Sequence, residues 1–499
     1  MGEALATRHP VVRGVVHALT IALLAVAIRL VYGPGFLGVD AMWSLAWGHD
    51  LAAGSALAPS LTTTPHVLSN LLGLALVPFG QDADRALVTI EFLGAATLVW
   101  CVAATARAIA GIPAGVLAGL VMATQEQLLF ATRSGYLDVF AAVFVAAAGL
   151  VAVRGGERRW LAAGVMLALA GLLRPEPWLL LAVLAAWRWR KDGAISPGLV
   201  ALVVVVPVLW AVTDLVLSGD ALYSLHQTRA ASERFRELQG IDEGIAARLA
   251  SIPKSELRAA GPVGVVLGGL AALLAFWPGA AGAALRARWL GAGEDTVAAL
   301  APVRLLVGAA AVLLLTVAAE AVTGTLLFAR FSLPAAALLI AAGVSTAALV
   351  VRARVPESRA SLTFAVAGVG LLVIAAPLLA KARRATNPEQ ARNADARALL
   401  RPGVPCLPLS VPTAELRPHA AVWAGVRAGD VVDALDVGIA PAGSYADSTT
   451  KEGQLLARGG WTTVKVPDLA GLSVPVVREA RGWILRAGTR EPVANAKCG

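Results

Sequence analysis

The sequence predicts a mainly α, polytopic helical membrane protein that ends in a small β or α+β domain. Three observations carry that expectation. Of 499 residues, 58% are hydrophobic and only 15% charged, with a mean hydropathy of +0.72. Apolar runs of about 18 residues or more, long enough for a helix to cross the bilayer, recur through residues 14–380. Beyond residue 381 they give way to short alternating runs such as Trp461-Thr462-Thr463-Val464-Lys465-Val466, which read as strands.

This composition excludes a soluble enzyme. The net charge of +9 does not point to nucleic acid, because the basic residues stand in short clusters between apolar runs and form no stripe interleaved with aromatics. The clusters at Arg8 and Arg13, Arg107, Arg154 with Arg158 and Arg159, Arg188 with Arg190 and Lys191, Arg286 with Arg288, and Arg352 with Arg354 and Arg359 mark cytoplasmic ends. Spans near 14–33, 86–106, 111–126, 138–153, 160–173, 177–189, 195–217, 261–279, 302–321, 332–351 and 361–380 place every cluster on one side, giving about eleven crossings. A multi-pass plasma-membrane protein follows, its amino terminus cytoplasmic and its carboxyl-terminal domain outside. The first span lacks a small-residue cleavage site and is read as an anchor, not a signal peptide. The fifth and sixth spans are short and meet at Arg174-Pro175-Glu176-Pro177.

Two outside loops are long, 34–85 and 218–260. The first carries Asp40, Trp43, Trp47, His49, Asp50, His66, Asp82, Asp84 and Arg85. A carboxylate just outside a span, in a chain starved of charge, is a functional candidate. A helix begun at Asp40 would set Trp43 and Trp47 on one face as headgroup anchors, and Val67 to Phe79 suits an interfacial or re-entrant helix. Arg85 and Glu91 read as a structural pair. The second loop is helix-compatible, could cover a site, and carries His226 and Arg229. After the last span, 381–388 reads as a linker into an extracytoplasmic domain, so the chain divides into 1–380 and 381–499. Cys406 and Cys498 bracket that domain, where an oxidising exterior permits a disulfide; two free thiols are the alternative. No Cys or His grouping has zinc-site spacing.

The order of an acidic first loop, Thr64-Pro65-His66-Val67-Leu68, Ser134-Gly135-Tyr136-Leu137-Asp138 at the head of a span, and Ala329-Arg330-Phe331-Ser332-Leu333-Pro334 late in the membrane region resembles the GT-C superfamily of polytopic glycosyltransferases. It looks most like bacterial, actinobacterial-type members that use polyprenyl-phosphate sugars. The resemblance covers about residues 14–380 and implies a GT-C-like fold, with Asp40 in the place of the catalytic base, although the adjacent second acid is missing. Asp138 matches the second acidic position, and Arg330 lies in a segment similar to an Arg-Tyr-x-Leu-Pro signature. The Thr64 to Leu68 segment is similar to Lys-Pro-Pro-Leu without its lysine, leaving His66 as the candidate phosphate contact. Donors implied are polyprenyl-phosphate mannose or arabinofuranose; acceptors are a cell-envelope glycan, lipid or protein; nucleic acid is not a partner.

The chemistry agrees with that implication. Sugar transfer from a lipid phosphate needs a carboxylate to deprotonate the acceptor hydroxyl and cationic groups, or a divalent metal, to hold the departing phosphate. By the topology above, Glu126, Arg133, Asp138, Arg174, Glu176, His226, Arg229 and Arg330 share the outer face with Asp40, and Arg133 or Arg330 could hold phosphate. Plain structural roles compete: Asp40 and Asp138 as helix caps, Arg174 and Arg330 as snorkelling residues, His66 and His226 as solvated loop residues. A secondary transporter or flippase would place its ionisable groups at mid-membrane and tends to contain related halves; neither pattern is evident in the sequence. An inactive envelope scaffold is the third class.

Overall fold

The protein was analysed as a computed structural model that describes residues 10–55, 57, 65–156, 158–194, 196–239, 244–291, 294–412, 414–433, 442–448, 476–481, 483–489 and 497–498. A largely helical membrane region leads into a small mixed sheet. Helix α1 (Pro10–Tyr32) precedes α2 (Val39–Ala52) and α3 (Val67–Leu76), and a 3-10 turn, Val77–Asp82, joins α3 to the long α4 (Ala83–Ala110). Together 67–110 form one apolar run of 44 residues, about twice what a bilayer needs. It breaks at Gly80, whose φ of 54° is available to glycine at no steric cost.

Next come α5 (Ile112–Ala123), bent by 59° against α6 (Glu126–Arg133), and α7 (Asp138–Arg154), α8 (Arg159–Gly171), α9 (Glu176–Asp192) and α10 (Pro197–Ser218). Helix α11 (Tyr223–Gln239) is polar, and α12 (Ile245–Phe276) turns at Gly261 with φ 66°. Thus the long second loop is mostly helix, and its end forms the first turns of α12. Then follow α13 (Gly279–Leu290), α14 (Glu294–Thr323), α15 (Leu333–Arg354) and α16 (Glu357–Leu400). Most of each expected span is helical among the described residues, although 111–126 breaks between Ala123 and Glu126 and 261–279 ends its helix at Phe276; the count of eleven crossings is not reproduced. By length and composition, seven of the described helices can cross a membrane, or eight when α5 and α6 are taken as one bent span; α8, with 13 residues, is shorter than the ~20 a crossing needs.

Three expectations change. Trp43 and Trp47 are buried, their rings 5.1 Å apart. Helix α3 covers α2 on one side, and the carboxyl-terminal helix α17 (Arg417–Ala424) also packs on α2. Contact with α3 is backbone-close: a Cβ at Gly73 would collide with the Ser44 carbonyl, and one at Gly48 with the Gly73 carbonyl carbon. The tryptophans therefore fill protein core instead of meeting headgroups. Residues 381–388, expected as a linker, continue α16, which runs unbroken over 44 residues to Leu400. Arg85 pairs with Asp82 at 3.3 Å, while among the described residues both carboxylate oxygens of Glu91 are buried without a hydrogen-bond partner, so the expected Arg85–Glu91 pair is not found there.

Beyond α16 lie β1 (Cys406–Leu407), β2 (Leu409–Val411), β3 (Val431–Asp433), β4 (Ala442–Ser448), β5 (Val476–Ala480), β6 (Trp483–Thr489) and β7 (Lys497–Cys498). The five-stranded sheet has order β3-β2-β4-β6-β5, parallel across β3-β2-β4 and antiparallel across β4-β6-β5. Strands β1 and β7 pair antiparallel with Cys406 opposite Cys498. Cys406 is disulfide-bonded and Cys101 is free; the side chain of Cys498, the partner expected from the sequence, lies outside the described residues. Trp461 to Val466, expected as a strand, lies outside the described residues.

Candidate active site

Helix starts gather the charged residues. Asp40 stands in the first turn of α2, where the N-terminal partial positive charge favours a carboxylate. The N-cap is Gly38 and no side chain caps the helix; Asp40 instead accepts from Arg330, Nη2 to Oδ2 at 3.0 Å. Arg330 sits in a 3-10 turn, Ala329–Ser332, that feeds α15, and Pro334 occupies the first turn of that helix, where its missing N–H is harmless. Arg330 Nε lies 3.2 Å from Oδ2 of Asp138, an ion pair without the alignment of a hydrogen bond. Asp138 opens α7, again without making a cap bond, and its Oδ1 accepts from Arg174 Nη1 at 2.7 Å.

Arg174 completes the chain on Glu176, with Nη2 2.6 Å and Nε 2.9 Å from Oε1. The Arg-Pro-Glu-Pro segment makes this possible: Pro175 is the N-cap and Pro177 lies in the first turn of α9, so the helix begins at Glu176 and its carboxylate meets the loop arginine. Tyr136 and Phe328 lie 4.0 and 4.5 Å from the Arg330 guanidinium, and Phe331 lies 3.6 Å from that of Arg174, a cation–π setting for both arginines. Glu320, near the end of α14, interacts electrostatically with Arg174 and Glu176. The result is a continuous series, Asp40–Arg330–Asp138–Arg174–Glu176. Within it the side chains of Arg330 and Asp138 are 11% and 8% exposed, whereas Asp40 is 38% exposed. Asp40 is the member that faces outward.

His66, the N-cap of α3, lies beside this series: burial, then the nearby Arg174, push its imidazole down to about 4, so it is neutral. Arg133 stands elsewhere. Its Nε donates to the Pro34 carbonyl at 3.0 Å, Nη1 to the Arg383 carbonyl and Thr386, and Nη2 to Asn387 and Gln390 at 3.0 and 2.8 Å. All five donors of a buried guanidinium are engaged, four tying α6 to α16 and one holding the loop at Pro34, which leaves none for a phosphate. His226 and Arg229 are exposed on α11 and pair with Asp220 at 2.7 Å and Glu233 at 3.1 Å. The structure therefore joins Asp40, Asp138 and Arg330, sets His66 at their edge, and separates Arg133, His226 and Arg229 from them.

Arg174, Glu176 and Glu320 belong to the cluster although their sequence signals are faint. Two prolines around a Glu between short apolar runs marked the first two; Glu320 was legible only as an acid inside an apolar run. Among the described residues no three His, Cys, Asp or Glu side chains are placed to hold a metal ion, and the series' acids already face guanidinium groups.

The carboxyl-terminal region closes on the loop that presents Asp40. His419 of α17 contacts the Leu37 carbonyl through Nε2 at 3.1 Å and the Glu415 carbonyl through Nδ1 at 3.1 Å. Trp423 donates to Asp84 at 3.1 Å, Arg397 pairs with Asp84 at 3.0 Å and with Asp82 at 2.8 Å, and the Ala428 N–H reaches Asp50 at 3.3 Å. Burial raises Asp50 above the usual carboxylate range.

No protein-family model matches the sequence, and no curated protein matches it. Among solved structures, the chain is similar to the crystal structure of ArnT from Cupriavidus metallidurans in the apo state, with 12% identity, 96% of this chain and 99% of that chain covered, and a TM-score of 0.41. It is likewise similar to ArnT from the same organism bound to undecaprenyl phosphate, at 12% identity over 94% and 97% of the two chains, TM-score 0.41.

Proposed function

We propose that this chain is an integral-membrane glycosyltransferase of the GT-C type that moves a sugar from a polyprenyl-phosphate donor to a cell-envelope acceptor at the outer face. One observation carries the reading: Asp40 and Arg330, separated by 290 positions, meet at 3.0 Å with the carboxylate outward and the guanidinium behind it. That is a base beside an anion-holding group, the two functions the reaction requires. Seven or eight apolar crossings suit a substrate whose tail stays in the bilayer while its phosphate sits at headgroup depth.

Asp40 takes the proton of the acceptor hydroxyl as that oxygen bonds the anomeric carbon. The bond from that carbon to the phosphate oxygen breaks, and the phosphate leaves with the electron pair toward Arg330. A single displacement of this kind inverts the anomeric centre and needs one carboxylate as base. Asp138 is the positioning residue that keeps Arg330 and Arg174 in place. Mannose and arabinofuranose are the donors to try first. The test is transfer from each labelled donor to membrane acceptors by wild type and Asp40→Asn. Substrate movement across proteoliposomes without a new glycosidic bond would instead establish a transporter, and unchanged glycan output from correctly inserted Asp40→Asn a scaffold.

A further inference from the structure

Beside the ion-pair series, α3 carries polar atoms that the fold does not use. Asn70 is buried, 3% exposed, yet neither its amide nitrogen nor its oxygen has a hydrogen-bond partner among the described residues. His66 Nδ1 is likewise buried and without one. The two are one helical turn apart, the Asn70 N–H donating to the His66 carbonyl at 3.0 Å, so their side chains share a face. Ser69 between them is satisfied by the same carbonyl at 2.9 Å. An amide buried with nothing to bond lowers stability, and a leucine would fill an apolar helix such as Val67–Leu76 without that cost. The fold gives Asn70 no structural reason to be polar.

The surroundings define what could satisfy it. His66 meets Trp210 edge-on at 5.1 Å, and Trp210 meets Trp178 at 5.6 Å. Both indole N–H groups donate to the Gly171 carbonyl, at 2.9 and 2.7 Å, so the two rings have no donor left to offer. His66 is close enough to Arg174 and Asp138 to feel both charges. Its neutral ring cannot balance a phosphate, but it can exchange a hydrogen bond with a hydroxyl, and the Asn70 amide offers one acceptor and two donors. Neutral donors and acceptors beside flat apolar rings match a sugar ring's hydroxyl edge and C–H face.

We propose that His66 and Asn70 form the subsite that reads hydroxyl groups of the donor sugar, with Trp210 and Trp178 as its apolar wall. The inference rests on the reading of this site as one for a polyprenyl-phosphate sugar. Its test is equilibrium binding by the full chain in nanodiscs, using polyprenyl-phosphate mannose, polyprenyl-phosphate arabinofuranose and bare polyprenyl phosphate. Asn70→Leu, which keeps the side chain's size, should weaken the preferred glycosylated lipid about five- to tenfold, as expected for one lost hydrogen bond between neutral groups. Bare lipid affinity should stay unchanged and the melting temperature should hold or rise. His66→Leu should act in the same direction, with His66→Gln retaining more of the binding. Equal losses for bare and glycosylated lipid would overturn the proposal. So would a fall in melting temperature with Asn70→Leu, or wild-type protein that binds neither sugar lipid more tightly than bare lipid. Wild type that binds no polyprenyl phosphate at all would instead overturn the functional reading beneath it.

Discussion

Asp40 and Asp138 flank the same arginine, and the structure predicts that their amides fail in different ways. In Asp138→Asn the lost charge lies between Arg330 and Arg174, whose side chains are only 11% and 16% exposed. Two nearly buried guanidinium groups then face each other without their shared anion. Removing one partner of a buried pair costs about 3–5 kcal/mol, enough to lower the apparent melting temperature by several degrees and reduce the amount of inserted protein. Asp40 is 38% exposed, so solvent screens its pair and the loss in Asp40→Asn should be at most about 1 kcal/mol. The amide oxygen can still accept from Arg330. Turnover per folded molecule should nonetheless fall about 10²- to 10⁴-fold, the usual contribution of a positioned general base. The assay is transfer from labelled polyprenyl-phosphate mannose and arabinofuranose, normalised to protein that passes a thermal-shift check in the same nanodiscs. Asp40→Asn with more than half of wild-type turnover would refute the base assignment. Equal stability losses in the two variants would refute the ordering by burial.

Arg133→Gln should lower the apparent stability by about 3 kcal/mol or more, because charge-assisted bonds to α16 are lost, while bare polyprenyl phosphate still binds the surviving folded protein; titration in nanodiscs beside a melting curve checks both halves. His419 carries a pH signature. Burial lowers its pKa in the folded protein from the ordinary 6.5, so the unfolded chain takes up the proton first. Its effect is absent well above 6.5 and grows destabilising as pH falls below it; melting curves at pH 7.5 and 5.5 should diverge more for wild type than for His419→Gln. Cys406→Ser, which removes the disulfide that Cys406 makes, should cost the carboxyl-terminal region about 2–4 kcal/mol; it would appear as faster proteolysis beyond residue 400 at unchanged insertion.

Helices were legible because an apolar run long enough to cross a membrane has few alternatives, and Asp40 was legible because a charge beside such a run is conspicuous. Partners were not. The positive-inside pattern assigns a residue to a face, yet Arg133 and Arg330, assigned alike, differ entirely: one is saturated by α16, the other meets Asp40. The linker reading failed for a related reason. Pro388 and the polar stretch 381–388 suggest a break, because a proline inside a helix removes a donor and crowds the preceding turn, but α16 continues through it, and this stretch is gripped by Arg133 at Arg383, Thr386, Asn387 and Gln390. Trp43 and Trp47 looked like headgroup anchors because the sequence did not reveal α17, sent from beyond residue 400, as a second cover for α2.

Charge within the series constrains how a phosphate can enter. Arg330 and Arg174 face Asp40, Asp138 and Glu176, three carboxylates against two guanidinium groups. The site is therefore no vacant anion hole, and on the proposed function a lipid phosphate would have to replace an acid at Arg330. Asp138 holds both arginines from a buried position, so displacing it would strand Arg174 as well. Asp40 pairs with Arg330 and, at 38% exposed, faces solvent that can receive its carboxylate. On that reading, exchange at Asp40 is the cheaper route, because it would release an already solvated carboxylate as the donor phosphate settles on Arg330. On the proposed function, the base becomes free to meet an acceptor hydroxyl only once the leaving group is in place.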